Sequence, residues 1–156
     1  MTTFGKYIEQ AREEARDDGS AAVEAQHLLL AIAAGPDGAT RQIMAAGRLD
    51  HQALRDALDR EFEHSLAAAG ISTAAFDLPQ PSRAPTRPTR LGASARLAIE
   101  RGFTSAGRKK DLQPAHLMIG ILRAEAGTVP RALALAGIDQ AELAEHARRA
   151  LAGADE

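Results

Sequence analysis

Two histidines in this chain stand in nearly the same sequence context, and histidine can bind a metal or transfer a proton near neutral pH. His27 opens the segment HLLLAI, and His116 opens the segment HLMIGIL. A metal site on a helix needs a second ligand three or four residues further along, and those positions hold only leucine, alanine, isoleucine and glycine. We therefore predict two structural histidines, buried and neutral, each hydrogen-bonded to a backbone carbonyl at an equivalent place in a duplicated fold.

The other residue types that perform catalysis lack the neighbours that catalysis requires. The chain contains no cysteine, so thiolate ligands, a cysteine nucleophile and disulfides are excluded. It contains neither a G-x-S-x-G turn nor a G-x-x-x-x-G-K-[ST] nucleotide loop. The acidic pairs at positions 13–14 and 17–18 fall near the end of the first predicted helix, where we expect solvated surface charge. The sequence therefore predicts no catalytic residue, no metal and no cofactor, and hence no enzyme.

The composition of the chain limits the class of partner. Its 156 residues suffice for one compact domain. The net charge of -2 argues against a protein that mainly holds nucleic acid, and 3% of aromatic residues leave few stacking platforms for single strands. The amino terminus mixes charges of both signs, unlike a secretion signal, and the longest apolar run, residues 28–34, is too short to span a bilayer. We expect a cytoplasmic protein without membrane contact.

The elements that would carry these residues are helices. Apolar positions recur at helical spacing along nearly the whole chain, and no stretch alternates with the period of a strand. In the clearest case an apolar side chain returns at every fourth position from Leu54 to Leu66, between an Asp50 cap and Gly70. The sequence thus predicts an all-α protein. Its predicted helices span residues 3–18, 23–34, 38–47 and 50–69, and then 91–107, 114–125, 129–136 and 139–151.

A proline-rich stretch divides the helical pattern into halves. Residues 77–90, DLPQPSRAPTRPTR, contain four prolines and no period, which predicts an extended or mobile linker. Its arginines Arg83, Arg87 and Arg90 are expected to be solvated, with contact to an acidic partner as the alternative. The predicted organisation is one compact domain made of a first repeat (1–76), this linker (77–90) and a second repeat (91–152).

The second half of the chain repeats the first. The block IEQAREEA at 8–15 matches IERGFTSA at 99–106, the two histidine segments match each other, and AAGRLDHQAL at 45–54 matches LAGIDQAEL at 135–143. Three blocks in the same order, offset by 89 to 91 residues, indicate an internal duplication. Each half is then predicted to consist of four helices.

Together these blocks resemble the twin-repeat amino-terminal domain of the Clp-type protein-unfolding ATPases, the Clp-N or Clp R domain. The resemblance covers essentially the whole chain and rests on the histidine segments, the Ala-Gly turns before the fourth helix of each half, and the proline-rich linker. It implies an eight-helix bundle of two pseudo-twofold four-helix repeats, without the ATPase modules. It also implies a binding function: docking of substrates or adaptor proteins for Clp unfoldase and protease components, or sequestration of adaptors, peptides or cyclic-peptide ligands.

The sequence departs from this family at the positions that recognise phosphorylated arginine. Relatives with that ability resemble one another in carrying a glutamate just before each repeat histidine, whose carboxylate can pair with the guanidinium. This chain has Gln26 and Ala115 there, and Gly92 where the family has a threonine. The resemblance therefore argues against phosphoarginine recognition and leaves a hydrophobic groove between the halves as the expected binding surface.

The residues expected to line that groove lie near the starts of the first and fifth helices, which are equivalent in the duplication. Ordinary core packing is the alternative for each of them. The lining candidates are Phe4, Tyr7, Leu91 and Ala95.

A second function class is nucleic-acid binding or regulation. It would use the linker arginines and the basic cluster Arg108, Lys109 and Lys110, and it predicts an affinity that falls steeply with salt. The net negative charge argues against it. The basic cluster also lies just after a predicted helix, where cations offset the helix dipole.

Overall fold

The chain folds into helices that match the predicted ones. A computed structural model describes residues 2–71 and 82–154, and this part contains one short 3-10 turn (Lys109–Asp111) and no strand beyond an isolated parallel backbone pairing. The prediction of an all-α fold with eight helices is confirmed, with each helix end within three residues of its predicted position. The helices are α1 (Thr3–Asp17), α2 (Ala25–Ala34), α3 (Gly38–Ala46), α4 (His51–Ala68), α5 (Ala93–Ala106), α6 (Pro114–Leu122), α7 (Thr128–Leu135) and α8 (Gln140–Ala154).

Short polar side chains define where several of these helices begin. Asp50 accepts a hydrogen bond from the backbone N–H three residues later, at 2.7 Å, and Asp139 does the same before α8, at 3.0 Å. Such caps satisfy amides that have no partner inside the helix. The helix α7 begins at Thr128 and follows Gly127, without a side-chain cap. The caps are local features, which is why the sequence pattern located most of these helix starts.

The contacts between helices follow the duplication. In the first repeat α1 packs on α2 and α2 on α4, and in the second repeat α5 packs on α6 and α6 on α8. Between the repeats α4 packs on α7 and α3 packs on α8. These two contacts are equivalent, because α4 corresponds to α8 and α3 corresponds to α7 in the duplication. The helices α2 and α6 meet in the centre. The single core that results is built around fully buried side chains of these two helices, including Leu28, Ile32, Leu117 and Ile121.

The described part of the predicted linker, residues 82–90, lies along α1. Arg83 forms ion pairs with Glu13 at 2.5 Å and Asp17 at 3.1 Å, and Arg87 pairs with Glu9 at 3.2 Å. Both arginines remain exposed to solvent, as expected, but acidic residues of the same chain pair with them. Residues 77–81 of the linker, and the predicted end of the first repeat at 76, lie outside the described residues.

Backbone hydrogen bonds fix the ends of this segment. The N–H of Ala84 donates to the carbonyl of Arg16 at 2.8 Å, and the Arg16 side chain donates back to the carbonyl of Ala84 at 3.2 Å. At the other end the N–H of Val23 donates to Arg90, and its carbonyl accepts from Gly92 at 2.7 Å. The described segment thus contains no helix, in keeping with its prolines, and its last residues connect the start of α2 to the start of α5.

We expect the two linker arginines to contribute little to stability. In the double variant Arg83→Ala, Arg87→Ala the unfolding free energy should fall by about 1 kcal/mol or less at low salt, because exposed ion pairs are weak and screened. Urea unfolding at low and high salt measures this, with the exposed Arg96→Ala of α5 as control. A loss of several kcal/mol, or one that salt leaves unchanged, would contradict the expectation.

Candidate functional site

The two repeat histidines are buried and occupy equivalent places at the third position of α2 and α6. The Nδ1 atom of His27 accepts a hydrogen bond from the backbone N–H of Glu24, and that of His116 accepts from Gln113, each at 2.9 Å. Because Nδ1 of His27 accepts, its proton is on Nε2, which lies 2.7 Å from a carboxylate oxygen of Asp18. For His27 the predicted backbone carbonyl partner is therefore wrong, because its ring accepts from the amide before its helix and donates to an acid. The ring of His116 accepts from the equivalent amide.

Asp18 is part of this network and not free surface charge. Its carboxylate accepts from the ring of His27 and from both the backbone N–H and the hydroxyl of Ser20. Burial by itself would raise the pKa of Asp18, but the hydrogen bonds from His27 and Ser20 lower it below its ordinary value. The end of α1 is thereby tied to the start of α2.

Glu14 also departs from the expectation of exposed acids. Its side chain is 5% exposed and accepts from Arg55 at 2.7 Å, and it lies 2.8 Å from Nε2 of His51. Both partners stand in the first two turns of α4, which lie against the end of α1. Asp17, one turn further along, remains exposed as predicted. Helical periodicity does not distinguish these acids, because their partners come from another element.

The side chain of Glu24, which precedes α2 in the first repeat, lies against the start of α5 in the second repeat. Its carboxylate accepts from the hydroxyl of Ser94 at 2.5 Å, and that hydroxyl accepts from the N–H of Ala25 at 2.8 Å. A Cβ at Gly92 would collide with the Glu24 carboxylate. The space beside Gly92, where the resemblance implied a threonine side chain, thus holds a carboxylate from the other repeat. The sequence analysis singled out Gly92 but did not predict that Glu24 and Ser94 lie beside it.

Three of the predicted binding residues lie in the core. Tyr7 is 6% exposed, Ala95 is fully buried and Ala115 is 3% exposed. Burial, together with the nearby charge of Asp37, raises the pKa of Tyr7. These residues therefore do not line an open groove, and for Tyr7 and Ala95 the burial agrees with the alternative of ordinary core packing.

The other predicted lining residues are only partly buried, but they do not form a groove either. Phe4 packs against Phe103, with ring centroids 5.4 Å apart, and with Tyr7 it borders a cavity of only about 20 Å³. A cavity of that size holds about one water molecule. Leu91 is half-buried where the linker pairs with the segment before α2. The predicted groove at the starts of the first and fifth helices is therefore closed.

Open grooves lie elsewhere on the described part of the chain. The α1–α4 groove, of about 630 Å³, lies between the end of α1 and the exposed side of α4. The α5–α8 groove, of about 930 Å³, lies among α5, the loop between α6 and α7, and α8. Gln26 and Thr128 line both grooves, so the grooves adjoin there. Of the predicted binding residues only Gln26 lies on either groove.

The two adjoining grooves carry opposite charge. Six carboxylates, one arginine and one histidine line the α1–α4 groove. Four arginines and two carboxylates line the α5–α8 groove. Burial and the neighbouring acids Asp56 and Glu63 raise the pKa of Asp59 in the first groove, although Arg55 opposes them.

Comparison with known proteins establishes the family. The family model of the Clp repeat (R) N-terminal domain matches residues 2–81, just over half of the chain. The chain belongs to the Clp-N family. A search of curated proteins found no match. Clp-N domains are non-catalytic modules that bind substrates and adaptors in Clp systems.

Solved structures agree with the Clp-N fold of the whole chain. The N-terminal domain of the caseinolytic protease associated chaperone ClpD from Arabidopsis thaliana is similar, with a TM-score of 0.63 and 19% identity over 94% of this chain and 90% of that one. A structure from preliminary investigations of a malarial protein secretion system has a TM-score of 0.61 and 12% identity over 97% and 93%. Both likenesses concern the fold alone and extend over both repeats, beyond the match of the Clp-N family model.

Two features of this Clp-N chain bear on its chemistry. Within residues 2–71 and 82–154 no group of three or more histidine, aspartate or glutamate side chains is placed to hold a metal ion. None of the helices in the same part of the chain has the length and apolar character needed to cross a bilayer.

Proposed function

We propose that this chain is a non-catalytic docking module of a Clp-type protease system. It would present a substrate segment or an adaptor to the unfoldase, or hold that partner away from it. The observation that carries the proposal is the match to the Clp-N family, whose members bind such partners. The two adjoining grooves supply the surface, because both combine apolar and charged side chains and remain open beside a closed core. The absence of cysteine fits a reducing compartment, so we propose the cytoplasm as the site of action.

Recognition should not depend on phosphorylated arginine. Gln26 is neutral, Ala115 is buried, and the Glu24 carboxylate is engaged by Ser94. Without a free carboxylate at these positions the guanidinium has no charged partner there. A peptide with phosphoarginine is therefore expected to bind no more tightly than the same peptide with arginine. The starts of the first and fifth helices are packed, so peptides and cyclic peptides would bind along the grooves.

A docking function predicts loss of binding when a charge is placed in a groove. We expect Phe62→Glu in the α1–α4 groove, or Leu97→Glu in the α5–α8 groove, to weaken binding of the cognate Clp unfoldase or its adaptor at least about tenfold. Leu135→Glu on α7 is the matched control, because Leu135 is 38% exposed, close to the 44% of the other two, but lines neither groove. Calorimetry with the purified unfoldase, its adaptors and an unfolded substrate measures the affinities. No saturable binding to any of them would contradict the proposal.

Three of the six cationic residues named for the alternative of nucleic-acid binding are paired with acids. Arg83 and Arg87 are paired with acids of α1, and Arg108 pairs with Asp111 at 2.8 Å. A phosphate backbone would have to displace these carboxylates. We therefore expect no gel shift whose affinity falls steeply between low and high salt.

A further inference from the structure

The adjoining grooves carry complementary groups that the rest of the described chain leaves unpaired. On the α4 wall of the α1–α4 groove, Asp59 and Glu63 form no ion pair within residues 2–71 and 82–154, since Arg55 beside them is engaged by Glu14. In the α5–α8 groove, Arg101 and Arg123 likewise form no ion pair with that part of the chain. One ion pair already joins the two grooves within a single copy, between Glu61 and Arg131 at 2.9 Å, so these four groups are the charges that remain for a partner.

Each groove also exposes one large apolar side chain. Phe62 stands between the two acids on α4 and is 44% exposed, and Leu97 lies in the basic groove and is also 44% exposed. An apolar side chain flanked by charge of one sign is the composition expected of a docking surface. The acidic surface needs a cationic partner with room for an aromatic ring, and the α5–α8 groove has both properties.

We propose that two copies of this chain dimerise about a twofold axis that passes near Gln26 and Thr128. The rotation lays α4 of one copy over the α5–α8 groove of its partner, and α4 of the partner over the same groove of the first copy. Asp59 and Glu63 then face arginines, and Phe62 enters the apolar part of the groove. Two complementary surfaces side by side on one chain are what such a self-complementary interface requires, because every contact forms twice.

This occupant is favoured over a peptide because the chain itself carries both halves of the interface. A peptide would have to supply a basic segment for one groove and an acidic one for the other, whereas a second copy supplies both at the required spacing. The dimer covers both grooves, so self-association and docking of a Clp partner would compete. The inference does not depend on the docking proposal, since it is measured with the chain alone.

The charges can be exchanged between two variants, which gives a direct test. The first variant carries Asp59→Lys and Glu63→Lys, so the α4 groups that would face the partner's arginines become cationic as well. The second carries Arg101→Glu and Arg123→Glu, so both of its surfaces are acidic. Each variant alone should dimerise at least about tenfold more weakly than the wild type, because like charges face each other. Mixed together, they should form a heterodimer, since both contacts then pair opposite charges.

Sedimentation velocity on the separate and mixed chains measures how strongly the variants associate. Recovery on mixing also shows that both variants are folded. We expect the wild-type dimer to weaken as salt rises from low to physiological ionic strength. A wild-type chain that stays monomeric up to about 1 mM overturns the proposal. In that case the grooves would be binding sites for a charged peptide and not for a second copy. Variants that fail to associate when mixed overturn it as well.

The position of the axis is tested independently by a disulfide. The chain has no cysteine, so Gln26→Cys introduces a single thiol near the axis, where it meets its own copy. Under mild oxidation this variant should form a covalent dimer much faster than Ala39→Cys, whose thiol is exposed on α3 and lines neither groove. Equal rates for the two variants would overturn the proposed geometry.

Discussion

Replacing Gly120 by alanine is expected to lower the unfolding free energy by about 3 kcal/mol, the upper part of the range for overpacking a core. Gly120 lies on α6 where this helix crosses α5, and an added Cβ would collide with the backbone carbonyl of Ala98 and lie 2.7 Å from the N of Gly102. These are backbone atoms, so no side-chain rotation relieves the collision. The two helices must move apart, and the packing around His116 and Leu117 is lost with them.

The matched control is the same substitution at Gly38. That glycine opens α3, and an added Cβ there meets no atom within 4 Å. Gly38→Ala should be neutral or stabilise the fold by up to about 1 kcal/mol, because alanine restricts the unfolded chain and favours helix. Denaturant unfolding of both variants measures the contrast. Similar values for the two would show that the close approach of α5 and α6 is not needed.

Removing the Asp18 carboxylate is expected to cost about 2 kcal/mol, because Asp18→Ala leaves the fully buried ring of His27 without its acceptor. Asp18→Asn keeps an oxygen that can accept from the ring and should lose less. Asp17→Asn, at an exposed acid on the same helix end, should change the unfolding free energy by no more than about 0.5 kcal/mol. A loss at Asp17 as large as that at Asp18 would contradict the assigned network.

The same network predicts a pH dependence. Because the pKa of Asp18 is lower in the folded chain than the ordinary value of 3.8, its ionisation stabilises the fold fully at pH values above 3.8. That contribution is lost as the pH falls below 3.8 and through the folded-state pKa. The difference in unfolding free energy between the wild type and Asp18→Asn should thus be constant near neutrality and shrink in acid. A difference that grows in acid would contradict the lowered pKa.

The helices and their duplication could be predicted because their signals are local. An apolar residue at every third or fourth position, a capping aspartate such as Asp50, and a glycine or proline at the ends act within one or two turns. The repeated segments after His27 and His116 then indicated equivalent helices without any knowledge of their contacts. The same signals predicted that both rings are buried, since everything around them is apolar.

The partners of those rings and acids could not be predicted in this way. Glu14 and Asp17 have the same surroundings along the chain, yet α4 covers only Glu14. The stripe from Leu54 to Leu66 is uniformly apolar, but the neighbouring helices cover Leu54 fully and leave Phe62 44% exposed. Burial depends on which element lies opposite, and this depends on residues far away in the chain.

The sequence by itself determined the helical class, the helix ends and the twin repeat, because periodicity, capping and duplication are written within short segments. Only the tertiary structure decided where the open surfaces lie. It closed the predicted groove by packing Tyr7 and Ala95 into the core, and it brought residues of both repeats together at Gln26 and Thr128. The opposite charges of the two grooves arise in the same way. Each charged surface consists of side chains from separate helices, which come together only when those helices pack.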